Sequence, residues 1–153
     1  VTVALNQDYL GKVYPPSPPY QVGREKVREF ATAIGDQNPA YHDVAHAQTL
    51  GHADVVAPPT FAFTIAMRAM AVAVFDPGLG LDYSRVVHGE QRFAYQRPLV
   101  AGDEVVVTTT IENLRVAAGN DILTTRSDIA TVDGEAICSA WTVTVARGTG
   151  GES

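Results

Sequence analysis

Apolar and polar positions repeat with two different periods along this chain, and the change comes near Tyr83. Before it the repeat is helical. Val27, Phe30, Ala31 and Ile34 recur at helical spacing while Arg24, Glu25, Arg28 and Glu29 take the opposite face, which predicts an amphipathic helix over 24–34. Gly35 is placed to end it. Pro39 follows too soon for the helix to resume, so 36–41 reads as loop, and 43–50 as a short second helix closed by Gly51. Residues 60–75 differ in kind. Phe61, Phe63, Ile65, Met67, Met70, Val72, Val74 and Phe75 cover every face, and Arg68 is the one charge. A helix apolar all round is expected to be enclosed on nearly all sides. Asp76-Pro77-Gly78 stops it. Ahead of the helices, the run Tyr14-Pro15-Pro16-Ser17-Pro18-Pro19-Tyr20 reads as extended, polyproline-like chain lying on the surface.

After Tyr83 the period shortens to that of strands. Segment 86–96 alternates apolar and polar positions, 104–114 is rich in Val and Thr, and 122–132 and 136–146 follow, with turn signals at Gly119-Asn120 and Asp133-Gly134. In the last segment Ile137, Trp141, Val143 and Val145 are expected on one face, with Cys138, Ala140 and Thr142 on the other. Helices first and meandering antiparallel strands afterwards predict an α+β fold with the helices on one face of the sheet. The economical arrangement wraps the sheet around the 60–75 helix. Residues 1–147 form one domain in this reading, and 148–153 a disordered tail.

Composition narrows the function classes. At 153 residues the chain is one domain by length. A formal charge of −6, with no stripe of basic residues, argues against a nucleic-acid partner. Cys138 is alone, which fits a reducing compartment. Residues 55–75 have few charges but include Pro58, Pro59 and Arg68, against a membrane span. No charged-then-apolar leader opens the sequence, so cytoplasmic placement is the expectation.

The candidate chemistry lies in 35–61, where a polar loop leads through a short helix to two prolines that open the apolar helix. Asp36, Asn38, Tyr41 and His42 are thereby expected at the amino end of a buried helix. Gly35-Asp36-Gln37-Asn38-Pro39, followed by Tyr41-His42-Asp43, is similar to the Gly-Asp-x-Asn-Pro-x-His loop of MaoC-like hydratases and dehydratases. Three further stretches resemble the amino-terminal (FAS1-like dehydratase) subgroup of that family. They are Ala57-Pro58-Pro59-Thr60-Phe61, then His88-Gly89-Glu90-Gln91-x-Phe93, then Arg97-Pro98-Leu99 with Gly102-Asp103. This subgroup includes the small A subunits of mycobacterial β-hydroxyacyl-ACP dehydratases. The resemblance runs from about residue 10 to 147 and implies a hotdog fold, an antiparallel sheet wrapped around a central helix. It implies an acyl thioester of coenzyme A or acyl carrier protein as ligand, interconverted between (R)-3-hydroxyacyl and trans-2-enoyl forms with no metal or redox cofactor. Asp36 and His42 would share the acid–base work. Asn38, Tyr41, Pro59, Thr60, Phe61 and His88 would contact substrate, with backbone N–H groups at the helix mouth holding the thioester oxygen.

Two positions depart from the family pattern. The histidine belongs five residues after the aspartate, where this chain has Tyr41, with His42 one further. Tyrosine is a poor base near neutral pH, its unperturbed pKa being about 10. Where catalytic relatives read His-Gly at the helix mouth, this chain reads Pro58-Pro59, and proline has no N–H. Loss of one oxyanion donor typically costs on the order of a hundredfold in rate. Both point to a subunit that contributes acyl binding and an interface while a second hotdog chain supplies the intact catalytic loop. A self-sufficient homodimeric hydratase using Asp36 and His42 is the first alternative. A non-catalytic acyl-thioester binder is another, and a thioesterase a weaker one. His42 and His46 lack a third ligand at motif spacing, so no metal site is expected. His88 faces either core or pocket. Phe61, Phe63, Met67 and Met70 read as core, with some available to line an acyl tunnel. Arg68 needs an acid, water or a subunit interface.

Overall fold

The computed structural model describes residues 5–150. A two-residue strand β1 (Tyr20–Gln21) precedes three helices, α1 (Arg24–Ala33), α2 (Val44–Thr49) and α3 (Ala62–Val74). The long strands follow: β2 (Val86–Tyr95), β3 (Glu104–Ala117), β4 (Asn120–Thr131) and β5 (Ala136–Ala146). They form one antiparallel sheet of five strands in the order β1-β3-β4-β5-β2. The β3–β4 hairpin closes through Ala118 and Gly119, at φ 49° and 72°. Both positive angles are what a tight two-residue turn needs to match the strand twist. This is the α+β hotdog architecture, a curled sheet with a helix on its inner side.

α3 packs on β3, β4 and β5. The face it turns inward is mostly small: Ala62, Ala66, Ala69 and Ala73 are buried, together with Ile65, Met70 and Val74. The sheet's inner face is divided. One apolar cluster joins Phe61 and Ile65 to Val105, Val107 and Ile129, and a second joins Ala73 to Leu79, Ile111 and Leu123. Between them lies a belt of buried hydroxyl side chains, Thr109, Thr125, Ser127 and Thr142. Thr142 donates to Gln91 Oε1 at 2.9 Å, which carries the belt out to β2.

Two expectations change. The sheet curls around the alanine-rich side of α3 alone, and the outward side is open: Met67, Val72 and Phe75 are 50%, 48% and 61% exposed in the single chain. Along β5, Cys138, Ala140, Thr142 and Ala146 face inward, and the larger Trp141, Val143 and Val145 lie half-buried on the outer face. Ile137 departs from that alternation because the β4–β5 register shifts there, Ile129 pairing with Cys138 but Ala130 with Ala136, so Ile137 is buried as well.

The proline-rich run is extended chain held along β3. Tyr14 N–H donates to the Thr109 carbonyl and Ser17 N–H to the Val107 carbonyl, each at 2.9 Å. At the other end of the chain, residues 148–150 of the tail expected to be disordered lie against the β3–β4 turn. Gly148 N–H donates to Asn120 Oδ1 and Gly150 N–H to the Gly119 carbonyl, and Thr149 is buried. Residues 151–153, the rest of that tail, lie outside the described residues.

Candidate functional site

The loop between α1 and α2 holds itself together through its own polar groups. Gly35 adopts φ 74°, and the next N–H, of Asp36, returns to the Ala31 carbonyl at 2.9 Å, closing α1. Asp36 Oδ1 accepts from Asn38 N–H, and Asn38 Oδ1 accepts from Ala40 N–H, both at 3.0 Å. The second bond caps the 3-10 turn Pro39–Tyr41. Asp43 caps α2 through His46 N–H at 3.1 Å. His42 meets Asp36 as well, but through the backbone: Nε2 is 2.9 Å from the Asp36 carbonyl oxygen. Its own carbonyl accepts from Arg28 Nε at 2.9 Å. The two side chains expected to be catalytic thus line one open hollow of about 450 Å³, without the His42 ring bonding to the Asp36 carboxylate.

A second pocket, of about 370 Å³, opens at the start of α3 between Tyr41, Val56, Ala57, Pro59, Tyr95 and Pro98. Backbone bonds fix its walls. Val56 N–H donates to the Ala40 carbonyl at 2.9 Å and Ala57 N–H to the Leu99 carbonyl at 2.8 Å. Pro59 begins a 3-10 turn, Pro59–Phe61, that runs into α3. It has no N–H to give, and Phe61 N–H is taken by the Pro58 carbonyl at 2.8 Å. Thr60, exposed in that turn, is left to offer a backbone donor at the mouth. The Tyr95 hydroxyl donates to the Pro59 carbonyl at 2.5 Å. Arg97 also reaches the pocket, but its guanidinium is held by Asp103 at 2.8 and 3.0 Å and by Glu135 at 2.8 Å.

Protonation states around this pocket are one-sided. Burial, and then the charge of Asp36, push the Tyr41 phenol above its ordinary value, with the Asn38 side chain pulling the other way. Burial drives the Tyr95 phenol well up and the Cys138 thiol to about 11. Tyr41 and Tyr95 are therefore hydrogen-bond donors at neutral pH, and Cys138 is no thiolate nucleophile.

Of the residues expected to bind substrate, Tyr41 and Pro59 line the pocket, Asn38 caps the turn that carries Tyr41, and Thr60 stands at the mouth. Phe61 is fully buried, its ring edge-on to Phe30 at 5.4 Å, and packs the core. His88 is exposed on β2, edge-on to Phe63 at 5.3 Å. Arg68 lies over the Tyr20 ring at 5.7 Å, between α3 and the proline-rich run. Among the described residues no three His, Cys, Asp or Glu side chains gather as a metal would require. No helix among them is long and apolar enough to cross a membrane. Sequence reasoning missed Tyr95 and Val56. A strand tyrosine and a loop valine carry no motif, and only the closed fold brings them to the helix mouth.

The family described as FAS1-like, dehydratase domain region, matches residues 9–140. A UPF0336 protein of Streptomyces coelicolor is 56% identical over 145 residues, covering 95% of this chain and 97% of its own. Among solved structures, a MaoC-like dehydratase superposes with a TM-score of 0.84 at 36% identity over 90% of this chain, which spans 42% of that longer protein. A chain of the C-terminally truncated (3R)-hydroxyacyl-ACP dehydratase complex HadBC from Mycobacterium tuberculosis gives 0.80 at 33% identity, over 92% of this chain and 99% of that one. The motifs, the helix-filled curled sheet and these likenesses agree: the chain belongs to the FAS1-like dehydratase family of MaoC-like hotdog proteins.

Proposed function

We propose that the chain is one subunit of an (R)-3-hydroxyacyl-thioester dehydratase or enoyl-thioester hydratase, binding the acyl thioester while a second hotdog chain supplies the working Asp/His loop. The observation that carries this is the direction of His42. Its Nε2 is tied to the Asp36 backbone carbonyl at 2.9 Å, and Tyr41, a donor that keeps its proton, faces the pocket at the α3 mouth instead. General acid–base transfer needs a base within hydrogen-bond reach of the proton it removes. Pro59 works in the same direction, removing an N–H from the place where the thioester oxygen gathers charge.

A second chain has surface to cover. β2 is an edge of the sheet, and beside it α3 exposes Met67, Val72 and Phe75. An open strand edge next to an apolar helix face favours a partner. The likeness to a chain of the two-component HadBC complex supports a hotdog partner. One observation favours the self-sufficient homodimer: Asp36 and His42 do line a common hollow.

Crotonyl-thioester hydration by the purified chain, alone and mixed with a hotdog partner that carries an intact Asp/His loop, separates these readings. Turnover on mixing only, surviving His42→Ala in this chain, is the expected result. Turnover by the chain alone that is lost in Asp36→Asn and His42→Ala would establish the homodimer instead. Binding without turnover under both conditions would leave a thioester carrier.

A further inference from the structure

The loop between α1 and α2 spends nearly all its side-chain bonding capacity on its own backbone, and Tyr41 is the exception. Asp36 Oδ1 holds Asn38 N–H, Asn38 Oδ1 holds Ala40 N–H, and Asp43 Oδ1 holds His46 N–H. Burial, and then the charge of Asp36, raise the Tyr41 phenol's pKa, and the neighbouring Asn38 side chain pulls it the other way. The Tyr41 side chain lines the pocket and carries a phenol proton to donate there. Its backbone is fixed on both sides, since Tyr41 N–H donates to the Asn38 carbonyl at 3.0 Å and the Ala40 carbonyl accepts from Val56 N–H at 2.9 Å. Around it the wall is Val56, Ala57, Pro59 and Pro98, while the Tyr95 hydroxyl is occupied by the Pro59 carbonyl. An apolar pocket with one positioned donor suits a ligand that is mostly hydrocarbon with one acceptor oxygen.

We propose that Tyr41 binds the carbonyl oxygen of the acyl thioester, donating a hydrogen bond from the pocket wall it shares with Pro59 and taking no part in proton transfer. This rests on the acyl-thioester reading of the site. Asn38 is a positioning residue: its side-chain oxygen caps the turn that carries Tyr41. Tyr41 thus makes up in binding for the N–H that Pro59 cannot offer. Burial, and then the charge of Asp36, hold the phenol protonated across the neutral range, so its contribution does not titrate there.

The test is calorimetric, on the full chain, with two probes: crotonyl-CoA and its S-butenyl thioether analogue, which lacks the carbonyl oxygen. One neutral hydrogen bond of ordinary strength corresponds to roughly a five- to tenfold change in affinity. Tyr41→Phe is expected to weaken crotonyl-CoA by about that factor and leave the thioether unchanged. Asn38→Ala gives an independent check. It removes the cap on the turn that carries Tyr41, so crotonyl-CoA should again weaken more than the thioether. Equal affinities of wild type and Tyr41→Phe for crotonyl-CoA, or an equal loss for both probes, would overturn the role of Tyr41 while leaving the thioester reading intact. A wild-type chain that binds neither probe, alone or mixed with a hotdog partner, would overturn that reading itself.

Discussion

Single side chains do two different jobs in this molecule, and Asp76 represents the structural one. It follows α3, where the helix dipole disfavours an anion, yet Lys12 Nζ reaches it at 2.8 Å, Tyr14 Oη at 2.9 Å and Gly78 N–H at 2.9 Å. The Lys12 bond first, and then the Gly78 N–H, hold its carboxyl down to about 2. A carboxylate whose folded pKa is depressed adds stability above its unfolded value, 3.8, and loses it as pH falls through the folded value. Asp76→Asn should therefore lower the urea midpoint by a constant amount between pH 5 and 7. The gap to wild type should narrow below pH 4 and close near 2; a gap independent of pH would mean that the ion pair does not anchor the amino-terminal segment. Sequence singled out Asp36, Asn38, Tyr41 and His42 as candidate site residues, through the polar loop they share ahead of the apolar helix. It could not aim His42, because that ring's direction is set by a bond to a backbone carbonyl six residues earlier.

Among elements, α3 shows why pattern reading gave its existence but not which of its sides meets the sheet. Its residues are apolar on every side, so a polarity period cannot tell inside from outside. Size separates them here: alanines dominate the face against the sheet, while Met67, Val72 and Phe75 face out. Small side chains let the helix axis lie close to the strands. Ala66 is fully buried, so Ala66→Leu should overpack this contact and cost about 1–3 kcal/mol in denaturant unfolding. Met67→Glu, on the open face, should change the stability of the monomer by less than about 0.5 kcal/mol. The reverse ranking would mean that the sheet does not press on the alanine face. The strands were legible from their Val and Thr content and their turns. The inner face of β5 was not, since Trp141 and Val143 are the larger side chains yet lie outside.

At the scale of the whole molecule, the order of helices and strands was enough to predict a sheet around a helix. The pocket at the helix mouth was not readable, because Tyr41, Val56, Pro59 and Tyr95 come together only after closure. The free β2 edge and the outward face of α3 lead to an assembly prediction: in sedimentation, Met67→Glu should shift the chain toward monomer while wild type associates with itself or with a hotdog partner. Where ligand binds decides the rest. The most direct measurement is a ¹H–¹⁵N amide map of the full chain titrated with crotonyl-CoA. The largest shifts are expected at Tyr41, Val56, Ala57, Thr60 and Phe61, around the mouth of α3. Shifts confined to Thr32, Gly35, Gln37 and His42, around the neighbouring hollow, would contradict the proposed site.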